Sequence, residues 1–239
     1  MLHPLKLLGL LVVLLLSNIH TARAQKEPLE FNFGLPNSDH ITIFVAQELG
    51  LFEKVGLRPK FFTFASGAPL LAGLKSESLD VTSTGLAIMF ALGQDIHPDY
   101  TMPGGICPRL MAVRPAFLKR HPEIGAKLVE VEALAQEAIA RNPKLAVDAL
   151  VKRLSLSEKV AQADYEGIYL KRPTFVQQID PSSPYSLTTK DGGLAQKLFI
   201  AGQALFEAKS IPRPVSLTEI QDAIDASYLQ AYAGSREKK

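Results

Sequence analysis

Between Glu30 and about Leu92 the chain alternates strand-like and helix-like segments, and this alternation restricts the possible fold more than any other feature. Leu29-Glu30-Phe31-Asn32-Phe33-Gly34-Leu35 alternates apolar and polar residues, as a half-buried strand does, and stops at Pro36-Asn37-Ser38. Ile41, Phe44, Val45, Leu49 and Phe52 then recur at helical spacing, and one helix is expected to run to near Gly56. Arg58 to Phe64, with Phe61, Phe62 and Phe64, predicts a second strand. Ser66-Gly67 opens a short helix through Leu70, Leu71 and Leu74. Leu79-Asp80-Val81-Thr82 predicts a third strand, and Ser83-Thr84-Gly85 the start of a further helix through Leu92. Strands alternating with helices predict an α/β fold: a parallel sheet, right-handed crossovers and helices on both faces.

Beyond Gln94 the pattern changes. Asp95 to Pro108 holds prolines and paired glycines and reads as irregular, and Arg109 to Arg114 fits one strand. The remainder is helical in character. Pro122 suits a first helical position, followed by a stripe of Ile124, Leu128, Val131 and Leu134 to Ile139. Asn142-Pro143 breaks the stripe, Leu145 to Leu154 resumes it, and Ser157 with Glu158 begins another helix. The longest late helix is expected from Leu187 to Ala208, after the loop at Asp180-Pro181-Ser182-Ser183-Pro184. Glu130-Val131-Glu132 and Lys152-Arg153 read as solvated faces.

The first residues address the compartment. Lys6, the apolar run Leu7 to Leu16 and Ala22-Arg23-Ala24 form a secretory signal peptide, with cleavage expected after Ala24 and the mature chain placed in the periplasm. Removing Lys6 and Arg23 leaves as many basic as acidic residues, so the pI near 8.6 gives no argument for nucleic acid. Cys107 is the single cysteine, which excludes an internal disulfide.

Three strand-to-helix junctions, at Asn37-Ser38-Asp39-His40, Ser66-Gly67 and Ser83-Thr84-Gly85, are expected along one edge of the sheet. Ligands of open α/β sheets bind outside the carboxyl ends of the strands. Helix N-termini there offer unpaired N–H groups and a positive dipole end, serine and threonine add hydroxyls, and glycine permits close backbone approach. Such an edge suits a small oxyanion. The plainer alternative is that Ser66, Ser83 or Thr84 only cap helices and Gly67 and Gly85 only serve turns. Asp39 has two readings: helix N-cap with His40 turned to the cleft, or selection of a cationic or neutral nitrogen-containing ligand.

Asp39-His40-Ile41-Thr42-Ile43-Phe44-Val45-Ala46-Gln47-Glu48-Leu49-Gly50-Leu51-Phe52, Phe64-Ala65-Ser66-Gly67, and Gly73 with Leu79-Asp80-Val81 and Gly85 occur in this order. Val113 to Glu123, Asn142-Pro143 and Asp191-Gly192-Gly193-Leu194 follow. In that order they resemble the nitrate, sulfonate, taurine and thiamine-precursor binding proteins of the type II periplasmic-binding fold. The resemblance implies a periplasmic binding component of an ABC importer, a small-molecule solute and a membrane permease as partners, a monomer, and no cofactor or metal. It also implies that most of a second lobe, on the order of a hundred residues, is missing between Gly93 and Leu110. On that basis residues 1–24 are the leader, 25–94 the first α/β lobe and 95–114 an irregular connection with a returning strand. Residues 115–239 are a helical region that packs on the first lobe and holds the remnant of the second.

The sequence carries no Walker loop, H-E-x-x-H, paired C-x-x-C or G-x-S-x-G, so an enzyme is not expected. Two alternatives stay open. One is a truncated remnant that no longer transports; the other is binding or synthesis of a thiamine pyrimidine precursor, with His40 and Cys107 as the groups available to it.

Overall fold

The computed structural model describes residues 27–36, 40–65, 67–85, 109–187, 193–209 and 211–236. The leader, its cleavage point after Ala24, Asn37, Ser38, Asp39, Ser66, Cys107 and the helix expected up to Leu92 lie outside the described residues.

The alternation produces the strands it predicts. Strand β1 (Leu29–Pro36) is paired in parallel with β2 (Leu57–Phe64) along its whole length and with β3 (Val81–Gly85) through Phe33 and Gly34. The fourth strand, β4 (Arg109–Val113), joins β3 antiparallel, and the sheet order is β2-β1-β3-β4. The period of two divides β1 between two cores. Phe31, Phe33 and Leu35 enter the larger core on one face, while Gly34 lies under Leu70 and Leu79 of a smaller core on the other.

The segment expected as one helix from Ile41 to near Gly56 is two: α1 (Ile41–Glu48) and α2 (Leu51–Lys54). Gly50 between them is left-handed at φ 62°, a conformation that costs glycine little and ends α1. Helix α3 (Gly67–Lys75) covers the second face through Leu70 and Leu74. Gly73 is required there, because a Cβ on it would come within 2.7 Å of Leu79.

After β4 the chain forms α4 (Pro115–Arg120), a helix the periodicity did not predict, with Pro115 in its first turn. Pro122 therefore does not start a helix; α5 (Ile124–Arg141) begins two residues later. Ile124, Leu128, Val131, Ala135 and Ile139 of α5 are buried in the larger core, where α5 and α6 (Lys144–Leu154) pack against α1. Helix α7 (Glu158–Gly167) is capped by Ser157, whose hydroxyl accepts from the Val160 N–H, and leads to a 3₁₀ turn at Tyr169–Lys171. Helix α8 (Phe175–Ile179) follows. The late helix is α9 (Gly193–Glu207); Leu187, expected to open it, lies outside any helix and donates its N–H to the Gln178 carbonyl. It packs with α10 (Leu217–Ala223) around a separate small core of Leu198, Leu205, Ile211, Val215 and Ile220. Helix α11 (Ser227–Arg236) lies on α5, with Tyr228 over Gly125. None of the helices among the described residues is long and apolar enough to cross a membrane.

The edge holding the N-terminal ends of β1 and β3 is fastened by one carboxylate. Asp80 accepts from the Arg114 guanidinium at 2.7 Å and from the Asn32 N–H at 3.0 Å. Its own N–H and C=O bond Asn32 and Arg114. Asp80 thus ties β1, β3 and the end of β4 together, away from the edge where ligands of such sheets bind.

Candidate functional site

Parallel pairing brings the carboxyl ends of β1, β2 and β3 to one edge, with Pro36, Phe64 and Gly85 as their last residues. His40 stands where the chain re-enters from β1 and caps α1. Gly67 opens α3 after β2. The first turn of α1 has no acidic residue, and its N-cap residue makes no side-chain capping bond.

The structure joins two of the expected residues directly. The His40 ring, 3% exposed, has Nδ1 3.2 Å from Ser83 Oγ, and Ser83 is 5% exposed. Which of the two donates depends on the imidazole tautomer. Phe44 meets the same ring edge-on, with centroids 6.3 Å apart. Beneath them Thr82 is fully buried and donates its hydroxyl to the Gly34 carbonyl at 3.0 Å. The contact ties the start of α1 to strand β3. Ser83→Ala removes one hydrogen bond from a buried imidazole, and a loss of about 1–2 kcal/mol is expected by denaturant titration. A variant as stable as the parent would mean that the contact holds nothing.

Two expectations are corrected. Ser83, Thr84 and Gly85 are not a junction after the third strand but complete β3, opposite Met111, Leu110 and Arg109 of β4, and the helix expected from them lies outside the described residues. The antiparallel partner arrives from a distant part of the chain and extends the strand through residues that would otherwise suit a helix start. The N-cap of α1 is His40, at φ −127° and ψ 61°, not Asp39.

The sequence reading missed Thr42 and Glu132. Thr42, in the first turn of α1, is 7% exposed and lies near the carboxyl of Glu132 on α5. Gln136 Nε2 donates to the same carboxyl at 3.1 Å. Glu132 is half-buried rather than on a solvated face, and desolvation pushes its carboxyl above the usual glutamate range, against the pull of Gln136, Thr42 and Arg172. The signal lay in the spacing: Leu128, Glu132, Ala135 and Ile139 fall on one helical stripe. Lys152 and Arg153, by contrast, are on the surface, paired with Glu48 at the end of α1.

Among the described residues no group of three or more His, Cys, Asp or Glu side chains is placed to hold a metal. A groove at the opposite, N-terminal edge of the sheet mixes Glu30 and Arg58 with Arg120 and His121. It contains none of the expected site residues.

No protein-family model matches the sequence, and no curated protein matches it either. Solved structures do share its fold. The periplasmic aliphatic sulphonate binding protein SsuA of Escherichia coli superposes with a TM-score of 0.57 at 12% identity, over 85% of this chain and 100% of that one. The alkanesulfonate-binding protein SsuA of Xanthomonas axonopodis pv. citri, bound to MOPS, gives 0.55 at 12% identity, over 81% of this chain and 98% of that one. A protein of Bordetella bronchiseptica RB50 gives 0.55 at 13% identity, over 87% and 98%. The α/β architecture is thus that of the sulfonate-binding periplasmic proteins, as the resemblance implied.

Proposed function

We propose that this chain captures a small oxyanion, such as a sulfonate, nitrate or carboxylate, in the periplasm and presents it to the membrane permease of an ABC importer. The observation that carries this reading is the contact of His40, at the start of α1, with Ser83 of β3 at one sheet edge. The start of α1 lies at that edge, and the N–H groups of a helix start favour an anion. Asn37, Ser38, Asp39, Ser66, Gly67, Thr84 and Gly85 are the proposed contacts, with His40 and Ser83 setting their position. The reading needs no covalent step and no cofactor. It takes the chain as a monomer with residues 1–24 as leader, 25–94 as the first lobe and 115–239 as the helical part laid on it. The sulfonate-binding proteins that share the fold support the solute class.

The test is a thermal melt of the chain from Gln25 with a panel of small oxyanions and pyrimidines. A ligand at ten times its Kd adds about 1.4 kcal/mol, a rise of roughly 3–6 °C for a chain of this size. A rise with pyrimidines alone would reassign Asp39 to a nitrogen-containing ligand. A cooperative melt that no solute moves would defeat the transport reading. One observation favours the competing reading of a non-transporting remnant: only residues 86–108 separate β3 from β4, too short a span for a second lobe. The unmoved cooperative melt is that reading's expected result.

A further inference from the structure

We draw no further inference here: the strongest candidate, the groove of mixed charge at the N-terminal edge of the sheet, carries nothing, because Glu27, Glu30, Arg58 and Arg120 in its walls are exposed to solvent, Arg58 and Glu30 already pair with each other at 3.0 Å, and nothing in the structure shows what would occupy it.

Discussion

Asp80→Ala should lower the stability of the folded chain by about 3 kcal/mol, at the lower end of the cost of breaking a buried ion pair. The carboxylate is 15% exposed and its partner Arg114 is 11% exposed, so neither charge is matched by solvent when the other is removed. Deleting it strands the guanidinium with Glu77, which is 69% exposed and a poor substitute. It also takes away the acceptor of the Asn32 N–H, inside the sheet. For a chain of this length the loss corresponds to a fall of roughly 6–12 °C in the melting midpoint. The double variant Asp80→Ala with Arg114→Ala should lose less than the sum of the two single variants, since removing both partners leaves no stranded charge. A single-variant loss below about 1 kcal/mol would show that solvent reaches this edge and that the staple is a surface pair.

The second large effect is expected at Gly193, where α9 starts. Its φ of +61° is left-handed, and a Cβ there would lie 2.5 Å from the Ser186 carbonyl oxygen and 2.8 Å from the Ser186 nitrogen. Both obstacles are main chain, and Ser186 is 1% exposed, so the added methyl has nowhere to turn. The left-handed conformation costs about 1–2 kcal/mol for a residue with a Cβ, and forced overpacking about 1–3 kcal/mol more. Gly193→Ala should therefore cost about 2–5 kcal/mol. The damage should stay local, because α9 and α10 share a core distinct from the one under the sheet. Hydrogen exchange reads this directly: amides of α9 and α10 should lose protection while those of β1 and α5 keep it. Equal loss in both would show that the two cores unfold as one. The same substitution at Gly234 of α11, where a Cβ meets nothing within 4 Å, should instead be stabilising by about 0.5–1 kcal/mol.

The sequence and the structure part company at identifiable residues. Gly50 divides α1 from α2 through one left-handed position inside an otherwise continuous apolar pattern, and periodicity does not register a backbone dihedral. Asp80 belongs to a segment that carries the family resemblance, yet its carboxylate fastens strands at the edge away from the candidate site. Resemblance marks a residue as useful without saying whether it binds or builds. Of the candidate site, the residues that the structure brings together, His40 and Ser83, were both named from the sequence. Their mutual contact was not, because it joins the end of one strand to the body of another.

What the sequence determined by itself is whatever depends on neighbours along the chain. The period of two in β1 assigned Phe31, Phe33 and Leu35 to one face. The helical stripe assigned Ile124, Leu128, Val131 and Ile139 to a core, and Ser157 fixed a helix start with its own hydroxyl. What only the tertiary structure decided is whatever depends on a segment arriving from elsewhere. The antiparallel approach of β4 made Ser83 to Gly85 a strand. The packing of α1 against α5 left Glu132 half-buried rather than on a solvated face. Periodicity is written over a few consecutive residues, whereas strand direction and the solvation of a single charge are set by groups a whole fold away.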